Sequence, residues 1–107
     1  MRHLRFGSKS LFVGDEAAET LVDYGALIAQ TRGGDRIDLL GFSAEGNRIT
    51  TTFLLNSGTD LVVESTNLPF DEVDNEAAVE YMREKIRGLE ISPDFVIGFR
   101  AFNGEQV

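Results

Sequence analysis

Residues 35–66 read DRIDLLGFSAEGNRITTTFLLNSGTDLVVEST, and their reading decides the fold. Two polar breaks, 44–47 and 56–59, divide the stretch into three runs rich in β-branched and large apolar residues. Each break carries the small, turn-forming residues that a tight reversal needs. The simplest folding of such a stretch is a three-stranded antiparallel meander over Asp35–Phe42, Arg48–Leu55 and Asp60–Ser65. In the first run Ile37 and Leu39 alternate against Leu40 and Phe42. That doubling predicts a bulge near Leu39–Leu40 or cover on both faces. The second run alternates more regularly, with Ile49, Thr51, Phe53 and Leu55 on one side and Leu54 on the other. In the third, Leu61 and Val63 share a side and Val62 takes the opposite one.

Working outward, both flanks read as helices. Over Asp15–Thr31 the apolar set Ala18, Leu21, Val22, Gly25, Ile28 and Ala29 recurs at about 3.6 residues, widened by Tyr24 and Leu27. Asp15 is the expected N-cap, and Gly33–Gly34 the expected stop. Gly25 lies mid-helix, where it marks either a close passage of another backbone or a neutral replacement. The second helix is expected over Glu72–Leu89, capped by Asp71 or Asp74. Its stripe is Val73, Ala77, Ala78, Tyr81, Met82, Ile86 and Leu89. Acids crowd its start and Arg83, Lys85 and Arg87 its end, in the order that complements the helix dipole. Before the first helix, Leu4/Phe6 and Leu11–Val13 form a short hairpin about Gly7–Ser8 or one irregular edge strand. After the second, Asp94–Arg100 reads as a returning strand, followed over 101–107 by Phe102 and a polar tail that is either a frayed, disordered end or a contact segment.

The expected architecture is one α+β domain spanning residues 1–107. An antiparallel sheet of four to six strands, built on the meander, carries two helices on one face. The element order is β(β)-α-β-β-β-α-β. A chain of 107 residues suits one core, to which eight Phe and no Trp contribute.

Composition narrows the chemistry. With no Cys there is no disulfide, thiolate nucleophile or Cys-ligated metal. His3 is the sole histidine, so it has no second imidazole for a metal triad. No serine sits in a GxSxG elbow. Asp71, Asp74 and Glu76 lack the central Gly and twelfth-position Glu of an EF-hand loop, and no glycine run is followed by Lys-Ser/Thr. No catalytic residue, cofactor or metal ligand is therefore assigned, and an enzyme is not the expected reading. The N-terminal apolar residues are interrupted by Arg5 and Lys9, and no run approaches a membrane span. A cytoplasmic protein without a membrane partner is expected.

The net charge of −8 repels nucleic acid, although residues 1–36 are balanced, with five basic and five acidic side chains. From Asp15 to Leu89 the order helix, three strands, helix resembles that of double-stranded-RNA-binding domains. The resemblance is one of element order and carries no residue motif. Those domains read RNA with basic residues at the second helix, whose start is acidic here, so no nucleic-acid partner is expected. The acidic outer face of that helix is a solvated surface, or one that meets a basic protein.

Two functional readings remain. The strands carry apolar residues on both sides, and two helices shield one side. The first reading is a non-enzymatic interaction module that forms a homodimer through its sheet, with Leu40, Phe42, Leu54, Val62, Phe99 and Phe102 as candidate interface. The second is a domain that binds a small apolar or amphipathic ligand between sheet and helices, in a pocket lined by Tyr24, Phe42, Phe53, Tyr81 and Met82.

Overall fold

The computed structural model describes residues 1–67, 71 and 73–90. The expected strand 94–100 and the tail 101–107 lie outside the described residues, as do Leu68, Phe70 and Glu72. The elements are β1 (Arg2–Phe6), β2 (Lys9–Val13), α1 (Asp15–Thr31), β3 (Asp35–Phe42), β4 (Arg48–Leu55), β5 (Leu61–Ser65) and α2 (Glu76–Glu90). Five antiparallel strands with two helices make an α+β fold.

The N-terminal segment is the hairpin, with Leu4 opposite Leu11 and His3 opposite Phe12. The meander does not form. The strand order is β4-β3-β2-β1-β5, so β4 and β5, joined by a short turn, sit at opposite ends of the sheet. β3 and β4 pair as a hairpin, from Asp35↔Leu55 to Phe42↔Arg48. After β4 the chain turns at Asn56–Thr59, where Thr59 N–H donates to the Asn56 carbonyl at 3.2 Å. β5 then lies against β1, with Val63 opposite Leu4. The N-terminal hairpin thus separates two strands that sequence adjacency would join, and the likeness to an RNA-binding meander ends there.

The sheet curls strongly. Phe6 of β1 and Phe53 of β4 are three strand positions apart in the sheet, roughly 14 Å if it lay flat. Their rings nevertheless meet edge-on, 4.6 Å between centroids. The concave side holds the core, where Leu4, Leu11, Val13, Ile37, Leu39, Phe53 and Leu55 meet both helices. The doubled hydrophobics of β3 need no bulge: the register is continuous, Ile37 and Leu39 are buried, and Leu40 points outward.

On α1 the buried face is Ala17, Ala18, Thr20, Leu21, Tyr24, Leu27 and Ile28, while Val22 and Ala29 are exposed. The face is rotated from the expected stripe toward the aromatic Tyr24. Gly14, not Asp15, is the N-cap, its carbonyl accepting the Ala18 N–H. Asp15 is thereby left to pair with the N-terminal ammonium at 2.8 Å and Arg2 Nε at 3.2 Å. The left-handed closing residue is Arg32 (φ 60°), one position before the glycines. On α2 Val79 and Met82 are buried, and Ala78, Ile86 and Leu89 pack beside them; Ala77 and Tyr81 are exposed. The helix begins at Glu76, whose N–H is taken by the Asp74 carboxylate at 2.8 Å.

Two glycines respond to packing in opposite ways. β2 and β3 share one paired position, Phe12↔Phe42. Beside it a Cβ on Gly41 would fall onto the Phe12 carbonyl oxygen and lie 2.8 Å from Val13 Cγ1 and 3.0 Å from Leu11 Cδ1. At Gly25 a Cβ would meet Leu61 Cδ1 at 3.6 Å and Leu55 Cδ2 at 3.8 Å, ordinary contact distances. Urea unfolding should therefore show Gly41→Ala destabilised by about 1–3 kcal/mol, the usual cost of overpacking. Gly25→Ala should be stabilised by about 0.5–1 kcal/mol, the helix-propensity gain without a clash.

Candidate functional site

The helices cover the concave side of the sheet. The opposite, convex side is set by strand parity, because residues directly opposite in a ladder share a face. It carries His3 and Arg5 of β1, Ser10 and Phe12 of β2, and Phe42, Leu40, Asp38 and Arg36 of β3. Arg48, Thr50, Thr52 and Leu54 of β4 and Val62 and Glu64 of β5 complete it. Leu54 is 69% exposed, and Leu40 and Val62 are each 40% exposed. Phe42 is half-buried, next to Phe12. Four of the six candidate interface residues are thus on one surface; Phe99 and Phe102 lie outside the described residues.

Polar contacts cross that surface at one end. His3 stacks on Phe12, with centroids 4.5 Å apart and planes 15° from parallel. Glu64 gathers Arg5 Nε at 3.3 Å and His3 Nδ1 at 3.5 Å. At the other end Thr52 donates its hydroxyl to Asp38 at 2.6 Å, and Arg36 Nε lies 3.5 Å from the same carboxylate. The apolar side chains are therefore islands in a polar field, a composition nearer to a reversible interface than to a core.

The residues proposed to line a pocket are placed differently. Tyr24, Phe53 and Met82 are buried in the core cluster. Phe42 faces the convex side, away from them, and Tyr81 is exposed on α2. They do not converge on one cavity. The surface does carry a depression of about 370 Å³ near the starts of the two helices, between Gly14–Ala17 and Val73–Val79. Glu16, Asp74 and Glu76 stand on its lining, which suits an apolar ligand poorly. Two further depressions of about 230 Å³ flank α1 and α2, and none of the three is lined by any of the five residues.

Sequence reading missed a polar clasp. Tyr24 of α1 and Tyr81 of α2 both donate to Asp35 Oδ2, at 2.5 and 2.7 Å. The other oxygen, Oδ1, accepts the Arg36 N–H at 2.7 Å. Lys85 lies over the Tyr81 ring, 5.5 Å from its centroid. Burial pushes the Asp35 carboxyl up, but the hydrogen bonds from Tyr24, Tyr81 and Arg36 outweigh it. Lys85 adds to them, and the carboxyl settles below its ordinary value. Burial, then the bond to Asp35, raises the Tyr24 phenol well above its usual range. The Tyr81 phenol is raised first by its bond to Asp35. A carboxylate that keeps its charge and two phenols that keep their protons make a structural tie between the helices and β3. None of the three is poised for proton transfer near neutral pH. The two tyrosines are visible in the sequence as apolar-stripe members, but their shared partner lies in a loop-proximal strand end that no periodicity marks.

Nor do the described residues contain a group of three or more His, Asp or Glu able to hold a metal ion. Among them, no helix is long and apolar enough to cross a membrane.

The clasp has a definite pH signature. A carboxyl whose folded value lies below its unfolded value of about 3.9 contributes stability above that pH and loses it as pH falls through the folded value. Asp35→Asn should cost about 1 kcal/mol at pH 7, in line with weakening charge-assisted hydrogen bonds at a part-exposed site. The cost should shrink toward zero as pH falls through the folded value, where the native carboxyl is itself protonated. Urea unfolding followed from pH 7 downward checks this, and a cost that does not change with pH would remove the charge from the explanation.

Comparison with protein-family models, with curated proteins and with solved structures yields no match to this chain.

Proposed function

We propose that the chain is a non-enzymatic interaction module that associates with a second copy of itself through its sheet. The observation that supports this reading is the one-sided cover of the sheet. Both helices pack on the concave face; on the convex face Leu40, Leu54 and Val62 stay exposed, with the start of α2 beside Leu40 and Thr50. Isolated exposed hydrophobics are ordinary. Here they are separate positions on a sheet face whose outer strand, β4, carries no carboxylate in a chain of net charge −8. Two copies meet least repulsion where their acids are fewest, and that favours a second copy over a basic protein as the occupant. A ligand-binding role has weaker support, because Tyr24, Phe53 and Met82 fill the core and the largest of the three depressions is lined with acids.

Light scattering coupled to gel filtration tests the proposal, over loading concentrations of about 1–100 µM, the range of moderate interfaces. The expected mass rises toward twice the chain's 11.8 kDa. A mass that stays at that of one chain throughout would overturn self-association.

A further inference from the structure

The outer edge of β4 has a defined pattern of unpaired peptide groups. In an antiparallel ladder, successive residues turn their N–H and C=O alternately toward one neighbour and then the other. Leu40 of β3 turns away from β4: its N–H and C=O both bond the Asn75 side chain, at 2.8 Å each. Phe42 likewise turns toward Phe12. Their partners on β4, Thr50 and Arg48, therefore turn their peptide groups outward, as do Thr52 and Leu54. The Thr59 hydroxyl, donating to the Leu54 carbonyl at 2.8 Å, already sits on that outer side. Arg48, Thr50 and Thr52 are left as three consecutive outward positions.

Edge strands of soluble proteins are usually blunted by Pro, Lys, a bulge or an inward charge. β4 has no Pro, Lys or bulge over its eight residues, RITTTFLL; its one charge is Arg48 at its first position, and its register with β3 is unbroken. The inner strand is treated differently. Where β3 runs past the end of β2, Asn75 supplies the donor and acceptor of a missing strand. Among the described residues nothing does this for Arg48, Thr50 and Thr52.

We infer that β4 pairs antiparallel with β4 of a second copy about a two-fold axis at Thr50, making one ten-stranded sheet. The inference rests on the self-association reading above, and places the contact at the acid-free edge of the sheet, leaving Leu40 and Val62 on the open convex face. In this register Thr50 faces Thr50, and Arg48 faces Thr52 of the other copy. All three outward positions are used, and Leu54, whose carbonyl Thr59 occupies, is not needed. Axes at Thr51 or Thr52 require Leu54, and an axis at Ile49 leaves Thr52 unpaired. Thr52 and Asp38 are directly opposite on the convex face and hydrogen-bonded. Arg48 of one copy thus comes beside Asp38 of the other across a single strand, within reach of a long guanidinium side chain. That contact joins opposite charges, as an isologous interface of an acidic chain requires.

Because the chain has no Cys, single replacements report on distance directly. With the axis at Thr50, the Cα atoms of two Thr50→Cys copies lie about 5.5 Å apart, inside the disulfide range. Two Thr52→Cys copies are offset by four residues along the strands, roughly 13 Å. Under mild oxidation Thr50→Cys should give covalent dimer at least ~10-fold faster than Thr52→Cys or Val62→Cys, since only the first pair meets the distance limit. In the Cys-free chain, Arg48→Glu should weaken the dimer by about 10-fold, and adding Asp38→Arg should restore it, an exchange of one close charge pair. A dimeric mass for the original chain, with the Thr50→Cys and Thr52→Cys variants cross-linking at equal rates, would overturn this edge contact and leave self-association standing. A single-chain mass at every concentration would overturn both.

Discussion

The geometry of this domain depends on one close passage. β2 and β3 are joined at a single paired position, and there the Gly41 backbone lies against the Phe12 carbonyl with no room for a Cβ. A wider joint would need more paired residues, but β2 ends at Val13, where the chain leaves for α1. With so short a seam, the β3–β4 hairpin is free to swing across the N-terminal hairpin. Phe53 can then reach Phe6, and the concave space closes around Leu4, Leu11 and Leu39. Curvature and the closed core follow from that junction.

The same junction explains why α2 is fastened by polar groups. It contributes two buried apolar side chains, Val79 and Met82, worth about 1.5–3 kcal/mol each on burial. Three polar ties add to this at its start and middle: Asn75 on the bare edge of β3, Tyr81 on Asp35, and Arg83 on Glu16 at 2.6 Å. Each is worth about 1 kcal/mol or less where exposed. Their value lies more in direction than in strength. Asn75 matches the N–H and C=O of one residue and so fixes where the helix begins. The acids near the helix start complement the dipole, but they also surround the depression there and leave it unsuited to apolar guests.

What could be read from the sequence follows the range of the interactions involved. The bounds of α1, β3 and β4 were legible because their periodicity and turn residues are local. Neighbour relations in the sheet were not. The break at Asn56–Thr59 looks like a hairpin turn and does turn the chain, yet β5 goes to β1, a partner nearly sixty residues earlier. Leu39–Leu40 suggested a bulge because both are Leu; burial of one and exposure of the other needs only an unbroken ladder. Val79 falls outside the expected α2 stripe because that stripe runs through Tyr81. The phenol of Tyr81 carries that residue out of the core to Asp35. Of the candidate interface residues, Leu40, Leu54 and Val62 were placed outward by parity alone, the most robust signal that a strand offers.

Edges and charge then bear on each other. Most of this molecule's surface repels a copy of itself, since eight uncompensated negative charges are spread over a small domain. A long edge free of acids is the exception, and it stands out further because the neighbouring strand's bare stretch is closed by Asn75. If exposure of β4 were incidental, a proline or a second charge in its middle, beyond Arg48 at its start, would protect it at little cost to a hairpin whose inner face is secured by Phe53 and Leu55. Three threonines there instead combine strong extended-chain preference with side chains short enough to let a second backbone approach. If the edges pair as proposed, an acidic body would limit association in every other direction, so that pairing at one edge would close a two-fold dimer and the remaining surface would resist further growth.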